Sequence, residues 1–366
     1  MSDVLIWADN LRSPEMRHEV PVAVPDPFLY VERNGSRYVF VGSLEIPRMQ
    51  ELGVETVPLE ELGVDELIAQ GLGAPERERA LVLRACERVG IRQASAPRTF
   101  PLFVADHLRE NGVDLGVAGE VFDERRRVKS EAELEGIRRA QRAAEAAMDA
   151  IRAGLRAGGA TCEDLRADAM RVFTEHGMSV PDILIISHGA QTAVGHEPGH
   201  GEIREGEPVV ADLYPQEPES GCYTDMTRTF CVGEPPEELV RYHALAREAL
   251  ERACEVIRPG VTGADAHRAV CEVFERAGFP TQLSKQPGQV LEDGFFHSLG
   301  HGVGLEVHEQ PGLGRNGVEI VAGDVLAVEP GLYRQGFGGC RLEDVVVVTD
   351  DGVELLGSGY SYDLEP

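Results

Sequence analysis

The sequence predicts an α/β (α+β) fold in two domains, and three observations carry that prediction. The chain has 366 residues, more than one hydrophobic core ordinarily serves. Strand-length apolar runs alternate with helical periodicity along it. Part of the region beyond residue 128 then repeats. GATCEDLRADAMRVFTEHG at 159–177 aligns with GVTGADAHRAVCEVFERAG at 260–278, a constant offset of 101 residues.

Residues 1–125 read as a small α/β domain. Val4–Trp7, Phe28–Val31 and Tyr38–Val41 have strand composition, and Asn34-Gly35 supplies a hairpin turn between the last two. Glu76–Val89 and Leu102–Asn111 have helical periodicity. No cluster of ligand-type side chains falls here, so a shaping or oligomerising role is expected. The charged run Asp123–Ser130 marks the boundary, and the second domain is expected to span 128–366. A helix starts at once, because Ser130 and Glu133 have capping-box spacing. Leu134, Ile137, Ala144, Met148, Ile151 and Leu155 recur on its apolar face, and Gly158-Gly159 ends it.

In the repeat, Thr161 matches Thr262, Asp164 matches Asp265, Phe173 matches Phe274 and Gly177 matches Gly278. Each copy follows a longer helix, the second spanning roughly Glu237–Ile257. Shared caps and terminal glycines favour duplication over chance likeness between amphipathic helices. Two similar halves facing each other would enclose a cleft, where ligands bind.

The strands after each half carry acids. Glu207–Leu213 includes Asp212. Gly221–Val232 alternates, placing Tyr223, Asp225, Thr227 and Thr229 on one face. Asp324–Glu329 runs into Pro330-Gly331, and Arg341–Thr349 is expected to set Arg341 and Glu343 on one face of a single strand. Between them lies HSLGHGVGLEVHE, 297–309, with His297, His301 and His308 among glycines that permit close backbone approach. His301 with Asp212, Asp225, Glu329 and Glu343 makes an oxygen-rich ligand set suited to Mn²⁺, Co²⁺, Fe²⁺ or Zn²⁺. Two such ions could share carboxylates. Taken singly, each acid reads as a solvated strand end or a salt bridge. Together with the histidine loop they read as a site.

The formal net charge of -28 opposes binding to nucleic acid or to an anionic membrane. Only Lys129 and Lys285 are lysines; arginine supplies the remaining side-chain cations. Seven cysteines form no C-x-x-C pair, which suits reduced thiols in a cytoplasm. The start of the chain lacks a basic-then-apolar signal region, and no apolar run reaches the ~20 residues of a membrane helix.

Five segments in order, VVADLYP (209–215), YTDMTRTF (223–230), FHSLGHGVGLEVHE (296–309), VEPGLY (328–333) and GGCRLEDVVVV (338–348), resemble the pita-bread metallopeptidases (M24). The likeness is to the aminopeptidase P and prolidase branch, across about residues 128–366. It implies a pita-bread fold of duplicated halves behind a smaller creatinase-like N-terminal domain. It implies cleavage of the peptide bond before proline by a hydroxide shared between two divalent ions, most often Mn²⁺. Asp212 resembles the chelator of one ion, Asp225 and Glu343 the bridging carboxylates, and His301 and Glu329 the remaining ligands. Glu329 also matches the general base and His308 the stabiliser of the tetrahedral intermediate. His297 and Arg341 match residues lining the substrate site. His196, in HGAQTAVGHEPGH, matches the histidine near the scissile amide.

This sequence departs from the family in two places. The hairpin between Asp212 and Asp225 spans residues 213–224 and is longer than in many members. The N-terminal domain lacks the usual Asn-x-x-Tyr-Leu-Thr-Gly segment. Two rival readings follow. One is a hydrolase of non-peptide amides such as creatine or ectoine, or a lyase. The other is a non-catalytic peptide-binding module. A homodimer is common in the branch.

Overall fold

A computed structural model describes residues 3–366. They form two compact units, Met1–Arg126 and Arg127–Pro366.

The first unit is built on six strands: β1 (Val4–Ala8), β2 (Phe28–Arg33), β3 (Ser36–Val41), β4 (Glu55–Pro58), β5 (Gln93–Ala96) and β6 (Asp114–Val117). Their order is β4-β3-β2-β1-β5-β6. The β2–β3 hairpin turns at Asn34-Gly35 with both φ positive, 51° and 82°, as a two-residue primed turn requires. Both sheet faces are covered. Leu5 and Trp7 pack with the helices Ala74–Val89 and Leu102–Glu110, while Val4 and Ile6 pack with Met16, Met49 and Phe122. This is the period of two that separates alternate strand residues.

In the second unit the repeat is structural. The helix Glu131–Ala157 carries the Ser130–Glu133 capping box. The helices Cys162–Glu175 and Gly263–Arg276 start from Thr161–Asp164 and Thr262–Asp265 capping boxes. The first pair of helices packs on β7 (Ile185–His188), β8 (Pro208–Leu213) and β9 (Met226–Cys231). The second pair, Glu237–Val256 and Gly263–Arg276, packs on two sheets. One holds β10 (Asp293–Gly294), β14 (Gly331–Arg334) and β15 (Gly338–Arg341). The other holds β11 (Gly300–Gly302), β12 (Glu309–Leu313), β13 (Val325–Val328), β16 (Asp344–Val348) and β17 (Val353–Leu355), in the order β12-β11-β13-β16-β17.

The symmetry reaches further than the helices. Thr161 bridges Glu202, and Thr262 bridges Glu319, both antiparallel. Glu202 lies ten residues before Asp212, and Glu319 ten before Glu329. Asp212 and Glu329 therefore hold equivalent places in the two halves.

Two expected strands differ. Gly221–Val232 is not one strand: the ladder begins at Met226, and before it Tyr223 only bridges Gln216 across a turn in which the Glu217 carboxylate accepts from Glu219 N, Ser220 N and Ser220 Oγ. Arg341–Thr349 is broken at Leu342-Glu343. Arg341 ends β15 in one sheet, and β16 opens in another at Asp344. Arg341 and Glu343 thus do not share a strand face. The helix Gly119–Arg127 extends into the charged run. Among the described residues, no helix is long and apolar enough to cross a membrane.

Candidate metal centre

Asp212 sits in β8 opposite Thr227 of β9. Asp225 immediately precedes β9. His301 is the middle residue of β11, paired with Ala327. A Cβ at the neighbouring Gly300 would lie 1.9 Å from the Ala327 carbonyl oxygen, so glycine there lets the two strands close. Glu329 lies one residue past β13, its N–H donating to Leu299 O at 2.8 Å. Glu343 fills the break between β15 and β16, its N–H donating to Thr227 O at 3.1 Å.

Asp225, His301 and Glu343 each direct one donor atom into a common space, all within 4.8 Å of one another. His301 Nε2 stands 3.8 Å from Asp225 Oδ2 and 3.9 Å from Glu329 Oε1. These separations exceed hydrogen-bond length and leave room for an ion. His301 Nδ1 donates to Gly302 O at 3.1 Å, which leaves the Nε2 lone pair directed at the cluster. Burial holds this imidazole neutral, its pKa pushed down to about 3, with His308 adding to the effect.

The acids repel one another. Burial pushes the Asp225 carboxyl well above its ordinary range, and Glu343, Asp212 and Glu329 push it further. Burial and then Glu329 and Asp212 do the same to Glu343. Burial raises Glu329 to about 7. Such a cluster is costly without a cation. Asp212 Oδ1 and Asp225 Oδ1 are buried with no hydrogen-bond partner, which buried carboxylate oxygens seldom tolerate. Hard, unpartnered oxygen donors beside one free imidazole nitrogen fit divalent metal ions.

A polar scaffold surrounds these groups. Thr227 Oγ1 donates to Glu343 Oε2 at 2.6 Å and accepts from Arg341 Nε at 3.2 Å. Arg341 Nη2 donates to Asp212 Oδ2 at 2.6 Å, and its Nη1 reaches Tyr333 Oη at 3.4 Å. His297 Nδ1 donates to Ser298 O at 2.8 Å. Burial lowers its pKa to about 3, so Nε2 is the acceptor and takes the Tyr333 hydroxyl at 3.0 Å. The His308 ring lies edge-on to His301, centroids 4.2 Å apart, and is exposed on its other side. His196 is exposed as well. It bears electrostatically on both His297 and His308 but makes no direct contact with the carboxylates among the contacts described. Thr227 and Tyr333 escaped the sequence reading as functional residues. Their signal was present in the segments YTDMTRTF and VEPGLY, but a hydroxyl in a strand reads as β-propensity.

The model of metallopeptidase family M24 matches residues 135–350. The chain belongs to that family. It is 34% identical over 266 residues to a protein named "Probable dipeptidase PepE" from Mycobacterium tuberculosis, covering 70% of this chain and 65% of that one. An Xaa-Pro dipeptidase from Pyrococcus furiosus is 34% identical over 178 residues, 47% of this chain and 46% of the other. The chain thus spans under two thirds of the length of these curated relatives. Prolidase from Pyrococcus furiosus shares the fold with a TM-score of 0.79 at 22% identity, over 97% of this chain and 96% of that one. That likeness extends through the N-terminal unit, which therefore keeps the fold without the Asn-x-x-Tyr-Leu-Thr-Gly segment. In this M24 protein the five proposed ligands come from both duplicated halves.

Proposed function

We propose that this M24 protein is a dinuclear metal-dependent peptidase that cleaves the bond before proline. The convergence of Asp225, His301 and Glu343 within 4.8 Å carries the reading. The relatives' names, Xaa-Pro dipeptidase among them, support the choice of substrate. Asp225 and Glu343 would be shared between two ions, Asp212 would complete one, and His301 with Glu329 the other. Bound there, two divalent ions supply Lewis-acid polarisation of the scissile carbonyl and lower the pKa of a water toward neutrality. Manganese suits this carboxylate-rich set.

The protein's own groups do the rest. Glu329, half-buried, takes the proton of the attacking water as the general base. His308 faces the carbonyl oxygen as negative charge develops on it. His196 meets the substrate near the scissile amide from the open side. His297 has both ring nitrogens engaged, so it shapes the site through Tyr333 and does not exchange protons. Arg341 ties Asp212 to Thr227 and fixes the carboxylate frame.

Residues 128–366 would be the catalytic domain and residues 1–125 would shape the substrate's access. All seven cysteines are free, which supports a reducing, cytoplasmic setting. The proposal is tested with an Xaa-Pro dipeptide and an Xaa-Pro-Xaa tripeptide, each with Mn²⁺ and with chelator. Metal-dependent cleavage of the dipeptide in preference is expected. Turnover of small non-peptide amides with neither peptide cleaved would overturn it.

A further inference from the structure

The run RRRVKS at 125–130 takes no part in the chemistry above, yet Arg127 and Lys129 within it are buried. Arg127 pairs with Asp324 through two parallel bonds, Nε to Oδ1 at 2.9 Å and Nη2 to Oδ2 at 2.7 Å. Its Nη2 also donates to Glu319 O at 2.7 Å. Two residues on, Lys129 pairs with Glu309, each side chain 2% exposed. Lys129 Nζ donates as well to Arg127 O at 3.2 Å. Asp324 immediately precedes β13, the strand leading to Glu329. Glu309 directly follows His308. One short segment therefore grips two strands that enter the site.

Lys129 is one of two lysines in a chain that otherwise uses arginine. The space around it accounts for the choice. A Cβ at Gly304 would lie 2.6 Å from Lys129 Cε and 2.7 Å from Glu309 Oε1. Gly304 cannot retreat freely, because its N–H donates to Glu306 O and its carbonyl accepts from Tyr223 N. A slender ammonium stem suits that passage better than a planar guanidinium. A buried ion pair is a weak source of stability, so its presence points to geometry. Among the described residues, no hydrogen bond holds the His308 ring. The ring packs edge-on against His301, and the adjacent Glu309 anchors in the interior the backbone from which it projects.

We propose that Lys129 is a positioning residue. Through Glu309 it sets the backbone at His308 and holds that ring against His301. The inference rests on the reading of His308 as the group that faces the substrate carbonyl.

Removing one charge alone would break a buried ion pair from one side and would threaten folding. The test is therefore the double variant Lys129→Met/Glu309→Gln, which removes both charges at similar volume. With ring-labelled histidine, cross-relaxation between the His301 and His308 rings is measured in the metal-free protein. Loss of that contact in a variant with a native melting profile is expected, and its retention would overturn the proposal. In turnover, kcat should fall by about tenfold or more with KM changed by less than about threefold. In a His308→Ala background the same double variant should cost less than about twofold, because both changes act through one group. Equal losses in both backgrounds would mean a general structural role and would also overturn it. The ring contact is read without substrate, so failure of the Xaa-Pro reading would show separately as absent wild-type cleavage.

Discussion

The Thr227 hydroxyl donates to Glu343 Oε2 at 2.6 Å, from the first duplicated half to a carboxylate supplied by the second. The same oxygen accepts from Arg341, so Thr227 has little freedom to turn. Thr227→Val keeps the shape and deletes both bonds. Outer partners of this kind typically govern metal affinity by about 10–100-fold. Titration of the chelator-stripped variant with Mn²⁺ should show a loss of that order, and wild-type affinity would contradict this role.

Tyr333 joins His297 to Arg341. Its hydroxyl donates to one at 3.0 Å and accepts from the other at 3.4 Å. Tyr333→Phe leaves His297 Nε2 without a donor in a buried place. At about 1 kcal/mol for each lost bond, kcat/KM should drop by roughly tenfold or somewhat more, with a largely unchanged metal affinity. A variant as active as wild type would show that the His297–Tyr333–Arg341 chain does not shape turnover.

Much of this was legible in the chain itself. The capping boxes at Ser130, Thr161 and Thr262 and the Asn34-Gly35 turn are local rules, set within a few residues, and they appear where expected. The proposed ligands stood out because histidine and carboxylates recur in ordered segments. The break between Arg341 and Glu343 was not legible. Leu342-Glu343 has no turn composition, and at the break Leu342 N–H binds Pro330 O while Glu343 N–H binds Thr227 O, a contact 116 residues away. The Lys129–Glu309 pair was hidden for a related reason. A charged run reads as solvated unless the partner that buries it is known, and that partner lies 180 residues on.

Stability should record the burial of Glu329. Free glutamate titrates near 4.5, while Glu329 in the folded, metal-free protein is raised to about 7 by burial. Between those values the folded state keeps a proton that the unfolded chain has released. Its contribution therefore destabilises increasingly as pH rises across that window, by on the order of 3 kcal/mol. Buried His297 and His301, both lowered to about 3, work in the opposite sense below their unfolded pKa. The glutamate is accordingly read by difference. Metal-free Glu329→Gln should match wild type near about pH 4 and exceed it by that amount near about pH 8 in urea unfolding. No gain at the higher pH would contradict the burial penalty on Glu329.

The proposed chemistry needs five side chains to hold two divalent ions that drive hydrolysis before proline. It is tested most directly by adding Mn²⁺ stepwise to chelator-stripped protein while bound metal and cleavage of an Xaa-Pro dipeptide are followed together. Two ions bound per chain are expected, with activity that appears as they bind and both lost in Asp225→Asn. Full cleavage in chelator, or metal binding and cleavage that survive in Asp225→Asn, would contradict it.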